Sequence, residues 1–249
     1  MTEECRQSIL ATIAANVRVH GYHLQIVDGG PSPRFMYTIG LHHEFGFELV
    51  FAGGAIFTPV EIKSIFVAMT KLLREIGMTD SIVTTIEGLG TFKLGKVDPS
   101  WSAKLLLGAL NFLGLSEVKA FQITPDEDHW TIDVPNLSQS REAGKEPIWK
   151  WLEGNWSMSF SAKSKVITNL DALRGFGITE VMRWDELEWE MFSGAGPEVA
   201  KEEMRKVPLA MLIAFDESLH PVVDLEIGTG IWREEIGGEW YPWKSAGNS

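Results

Sequence analysis

The stretch Tyr37-Thr38-Ile39-Gly40-Leu41-His42-His43 decides how the first half of this chain is read. It sets a phenol, a hydroxyl, a glycine and two imidazoles in an apolar, strand-like context. In an extended chain alternate side chains share a face. Tyr37, Ile39, Leu41 and His43 are therefore expected to point one way, and Met36, Thr38, Gly40 and His42 the other. Upstream, Asp28-Gly29-Gly30-Pro31-Ser32-Pro33 reads as a turn, which makes Phe35 to Leu41 the return strand of a hairpin opened by Tyr22 to Val27. Downstream, Glu48 to Ala52 is a short third strand closed by Gly53-Gly54.

Helical patterns flank these strands. Thr2 is an N-cap with Glu3 and Glu4 in the first turn, and Cys5, Ile9, Ile13 and Val17 recur every fourth residue up to Gly21. That stripe is expected to pack, Cys5 with it. Thr58-Pro59 with Glu61 forms a capping box ahead of Ile62, Ile65, Phe66, Met69, Leu72, Leu73 and Ile76, and Gly77 ends the helix. Ser81 to Ile86 and Thr91 to Lys96 form a hairpin around Glu87-Gly88-Leu89-Gly90. Asp98-Pro99 opens a helix running to Gly114, and Val118 to Thr124 is a strand before the acidic turn Pro125-Asp126-Glu127-Asp128. Helices mixed with hairpins, without regular βαβ spacing, predict an α+β fold.

The N-terminal α+β domain is expected to span residues 1–135. Residues 136–165, with Trp149, Trp151 and Trp156, read as a docked linker, because large aromatic rings rarely stay solvated. A smaller, β-rich domain is expected over 166–249, from strands at Val166–Thr168, Ile178–Trp184, Trp189–Phe192 and Gly230–Trp232, with a helix after Gly196-Pro197.

At 249 residues the chain is long enough for two cores of ordinary size. Its net charge of −12 and lack of a Lys/Arg cluster argue against nucleic acid, and the same charge is repelled by anionic membranes. A basic or neutral protein partner, or a cationic small molecule, suits that field better. Cys5 is the one cysteine, so no intrachain disulfide forms. The N-terminus lacks a basic and apolar leader pattern, and no uncharged apolar run reaches the ~20 residues of a membrane span. A cytoplasmic location is expected.

The pattern Gly21-Tyr22-His23, Phe35-Met36-Tyr37-Thr38-Ile39-Gly40-Leu41 and Phe45-Gly46-Phe47-Glu48-Leu49 resembles the bacterial family called domain of unknown function 4262, over about residues 17–131. That family's hallmark is a Tyr-Thr-Ile-Gly-Leu strand. It commonly has His-Pro-Glu where this chain has Gly46-Phe47-Glu48, so a role for that histidine does not carry over. In the second half, Val166–Asn169, Trp189–Phe192, Phe215-Asp216-Glu217-Ser218-Leu219 and Asp224–Gly228 are similar to domain of unknown function 2185, which includes immunity-like proteins of bacterial toxin systems. That resemblance implies a protein-binding or accessory module without catalysis of its own.

The candidate ligand-binding residues are Tyr37, Thr38, Gly40, His42, His43, His23 and Glu48. His43 with Tyr37 and Glu44 or Glu48 has the makings of a general acid–base group, but a nucleophile in a recognisable context is missing. His20, His23, His42 and His43 include imidazole ligands, yet neighbours in a strand diverge, so no metal is expected. The glycine stretches at Gly29-Gly30 and Gly88 to Gly95 lie between strands rather than before a helix, and no cofactor is expected. Asp126, Glu127, Asp128 and Asp133 lack calcium-loop spacing. The reading is a non-catalytic, protein-binding bacterial protein. The competing reading is a small-molecule sensor or enzyme with its pocket around Tyr37 to His43.

Overall fold

The computed structural model describes residues 2–243 except Asp80, Ala143 and Asn155. It is α+β and divides into two compact units. The first comprises residues 1–28, 34–130 and 134–145, and the second comprises 29–33, 131–133 and 146–249. The stretch read as a linker is thus shared between them, with Leu137 buried in the first and Trp149 and Trp151 buried in the second.

In the first unit, α1 (Glu3–His20) leads into β1 (His23–Val27) and β2 (Phe35–Ile39). Next come α2 (His42–Phe45), β3 (Glu48–Ala52) and α3 (Pro59–Ile76). The hairpin β4 (Val83–Ile86) and β5 (Gly90–Lys96) precedes α4 (Pro99–Leu105), α5 (Leu107–Leu113) and β6 (Ala120–Pro125). The sheet order is β1-β2-β3-β6-β5-β4, antiparallel except for the parallel pair β3–β6.

Two adjacent residues of β2 show how this sheet is covered. Met36 joins Leu49, Phe51 and Ile123 against Ile62, Ile65, Phe66, Met69 and Leu73 of α3. Tyr37 points to the opposite face, as successive strand residues must, and meets α5 at Gly108. Both faces of β2 and β3 are therefore buried. The Thr58–Glu61 capping box is formed in full, which fixes where α3 starts.

In this unit three expectations are corrected. Alternation along Tyr37–His43 stops at Ile39, because Gly40 takes φ +102° and the chain turns into α2; His42 and His43 are helical. The helix foreseen after Asp98-Pro99 is two helices, broken at Leu106 with φ −101° and ψ 34°. Of α1, only Ile13 is buried: Cys5 is exposed and Ile9 is 44% exposed, so the four-residue stripe does not form a packed face.

The second unit holds a sheet ordered β10-β7-β9-β8-β11-β12. Its strands are β7 (Lys165–Asn169), β8 (Glu180–Arg183), β9 (Glu188–Phe192), β10 (Met204–Pro208), β11 (Thr229–Trp232) and β12 (Tyr241–Pro242). Short helix α6 (Leu170–Leu173) follows β7, and α7 (Leu209–Phe215), buried from Leu209 to Ile213, packs on the 3₁₀ segment Pro147–Glu153. The expected helix after Gly196-Pro197 is instead two single 3₁₀ turns, Gly196–Glu198 and Lys201–Glu203. Trp149 donates its indole N–H to the Asp133 carbonyl at 3.0 Å. The Asp216-Glu217-Ser218 turn has a structural task. Arg233, 2% exposed, donates to Ser218 Oγ (2.9 Å) and the Ile178 carbonyl (2.8 Å), pairs with Asp216 (3.4 Å), and lies over the Trp240 ring.

Candidate functional site

Glu48 is the chemical centre of the Tyr37–His43 region, and it is fully buried. Its Oε2 accepts from Thr38 Oγ1 at 2.6 Å and from the Leu41 N–H at 3.2 Å; its Oε1 accepts from the N–H groups of Gly40 (2.8 Å) and His42 (3.2 Å). Thr38 Oγ1 in turn accepts from the Leu49 N–H at 2.8 Å, which commits its own proton to the carboxylate. The backbone donors belong to the turn entering α2, whose first-turn N–H groups have no partner within the helix. Burial pushes the Glu48 carboxyl up from 4.5 to about 7, against the pull of the four donors. Glu48 thus ties β2, the Gly40 turn and α2 to β3.

Tyr37 serves its neighbours in the same way. Its hydroxyl accepts from the Gly108 N–H at 3.0 Å, in the first turn of α5, and burial raises its pKa. Gly108 admits the phenol because a Cβ there would lie 2.5 Å from the hydroxyl oxygen. Gly40 likewise approaches α1: a Cβ would stand 2.7 Å from a methyl of Val17.

The remaining candidates do not converge with these. His43 is exposed. His42 is half-buried, and its Nδ1 is buried with no hydrogen-bond partner among the described residues. His23 sits on β1 with Nδ1 2.8 Å from the Asn16 side-chain amide, and burial lowers its pKa. Among the described residues no three His, Cys, Asp or Glu side chains gather for a metal ion. Asp126 caps its own 3₁₀ turn, holds the Thr91 N–H at 2.6 Å and pairs with His129, which stacks on Phe57.

A groove that the sequence does not single out lies along the terminal strand of the first sheet. With a volume of about 900 Å³, it runs beside β1, between the end of α1 and the outer face of α3. Leu24 and Ile26 line it from the strand, Val19 and His20 from α1, and Lys63, Val67, Lys71 and Arg74 from α3. Val19 is 69% exposed, Val67 52% and Ile26 47%. Of the expected site residues, His23 borders this groove. One signal was present in the sequence: Val60 and Val67 interrupt the polar outer face of α3, where an ordinary amphipathic helix carries charge. That β1 is the terminal strand was not readable, since strand order depends on pairing across the chain.

The groove's charge runs against that of the chain. Its lining carries Lys63, Lys71 and Arg74 against one acidic residue, Glu75, in a protein of net charge −12. Lys71 approaches Glu75 at 3.9 Å, and Arg74 binds Glu44 at 3.0 Å and the His20 carbonyl at 3.3 Å.

No protein-family model, curated protein or solved structure gives a significant match to this chain. No helix among the described residues is long and apolar enough to cross a membrane.

Proposed function

We propose that this is a non-catalytic protein-binding protein whose first unit takes an extended, acidic segment of a partner along β1. The observation that carries this reading is the groove beside a terminal strand with exposed Val19, Ile26 and Val67. Edge strands are ordinarily blunted by charge or proline. β1 reads His-Leu-Gln-Ile-Val and has neither. An added strand supplies main-chain hydrogen bonds, and its alternate side chains enter the flanking pockets. Carboxylates on such a strand meet Lys63 and Lys71. A second copy of the chain fits less well, since two facing grooves oppose the same lysines. The resemblance of residues 166–249 to immunity-like proteins accords with this reading, as does that of residues 17–131 to domain of unknown function 4262, which we retain as a proposed membership.

The packing of Tyr37, Thr38 and Glu48 weighs against the competing enzyme or sensor reading. Each is at most 3% exposed; Thr38 and Glu48 bond one another and backbone, and the Tyr37 hydroxyl accepts from the Gly108 N–H.

The test is fluorescence anisotropy of a labelled peptide alternating Glu with Val or Ile, against the same peptide with Lys for Glu. The acidic peptide is expected to bind, and Lys63→Glu with Lys71→Glu to weaken it about tenfold or more while the fold is kept. Equal binding of both peptides, or binding of neither at millimolar concentration, overturns the proposal.

A further inference from the structure

The open face of the second sheet carries a different kind of cavity. Across β8 and β9, Met182 stands opposite Glu190 and Glu180 opposite Phe192, so the four side chains share one face. Val181, Trp189 and Met191 point to the other side and are buried in the core. On β11, Gly230 is paired with Met182. Lacking a side chain, it lets Trp243 lie across it: a Cβ there would be 3.2 Å from the indole, and the Trp243 backbone N–H donates to the Gly230 carbonyl at 2.9 Å. Trp184, Pro197 and Met204 complete a cup of about 270 Å³.

Its chemistry is uniform. The lining holds aromatic rings, two thioethers and the carboxylates of Glu180 and Glu190, with no Lys, Arg or His. Glu180 is partly engaged, accepting from the Gly196 N–H at 2.8 Å. Glu190 is half-buried and has no hydrogen bond or ion pair among the described residues. Trp184 and Trp243 are 52% and 42% exposed, leaving indole surface open to a ligand. Indole faces attract cations through their quadrupole, and carboxylates beside them add Coulomb attraction. The volume falls below the about 300–1,000 Å³ typical of sites for whole drug-sized ligands, so it suits a head group. A primary ammonium brings three N–H donors to a cup with one unengaged carboxylate, whereas a methylated nitrogen buries its methyls against Met182, Met204 and the rings.

We propose that this cup binds an alkylated organic ammonium group, held between Trp184 and Trp243 with Glu190 as its counter-charge. The group is supplied either by a free small cation or by a methylated lysine side chain. This site is independent of the β1 groove and stands whether or not that groove binds a peptide.

The test uses the full chain labelled with ¹³C at the methionine methyls, with Met182 and Met204 assigned by substitution. Choline chloride and a trimethyl-lysine peptide are titrated against 3,3-dimethylbutan-1-ol, the uncharged isostere of choline. Saturable shifts of both methyls with a cationic probe are expected, with at least tenfold weaker response to the isostere. Glu190→Gln is expected to weaken binding about tenfold, and Trp243→Ala to remove it, with the other methionine signals unmoved. A peptide that binds more than tenfold tighter than choline identifies a modified protein as the source; the reverse order identifies a free cation. Equal response to cation and isostere, or no saturable shift at 50-fold excess over about 1 mM protein, overturns the proposal.

Discussion

Glu48 decides what the Tyr37–His43 segment is for. A carboxylate with no solvent exposure is costly unless its oxygens are satisfied, and Thr38, Gly40, Leu41 and His42 satisfy them. Glu48→Gln replaces an acceptor with an N–H₂ group facing the same donors. At pH 5, where the folded chain keeps the carboxyl protonated, a loss of about 1–3 kcal/mol is expected, read by urea denaturation. The pH dependence has a definite sign. The folded-state pKa, about 7, lies above the ordinary 4.5, so between these values the folded chain holds a proton that the unfolded chain has released. Stability from this group is therefore complete below about pH 4.5 and is lost as the pH rises through about 7, by an amount of order 3 kcal/mol at most. Glu48→Gln is expected to flatten the melting temperature over that range; an unchanged profile contradicts this. Gly40→Ala combines a left-handed φ with a clash against Val17, and a cost of about 1–3 kcal/mol is expected in the same denaturation assay. The sequence sets Thr38, Gly40, His42 and Glu48 close to one another, and the structure joins them through the Glu48 carboxyl group, with Thr38 giving its hydroxyl and Gly40 and His42 their backbone N–H groups. Nothing local distinguishes a glutamate that caps a turn from one that awaits a ligand, because the difference lies in which backbone N–H groups fold back upon it.

At the scale of elements, α3 was the most legible part of the chain. Its cap, its stripe and its stop are all local, and the Thr58–Glu61 box forms as read. Thr58→Ala is expected to cost about 1 kcal/mol, seen as a lowered urea midpoint with an unchanged slope. The hairpins were legible for the same reason, since glycine turns separate runs of β-forming residues. α1 shows where pattern misleads. Cys5, Ile9, Ile13 and Val17 have helical spacing, yet the first half of the helix has no layer beneath it, and only Ile13 is buried. The break at Leu106 left no local sign either. It allows α5 to begin one residue before Gly108, whose N–H is then free of helical pairing and goes to the Tyr37 hydroxyl. The purpose of the break lies 71 residues away, beyond the reach of any window.

For the whole molecule, net charge is an average over concavities of opposite lining. A chain of −12 carries a cation-lined groove on its first unit and an aromatic, carboxylate-lined cup on its second. Each became visible once strand order was known, because one lies at a sheet edge and the other on an open sheet face. The α+β class and the presence of two sheets follow from alternating local patterns. The division between the units does not, since residues 29–33 and 131–133 cluster with a unit distant in sequence. The β1 groove is the central claim, and amide hydrogen exchange on the full chain tests it most directly. Exchange of Leu24 and Ile26 is followed by NMR with and without the saturating acidic peptide, with β4 as the internal control. Protection of the β1 amides is expected to rise about tenfold or more on binding, while β4 is unchanged. Bound peptide with β1 exchange unaltered contradicts strand addition at this edge.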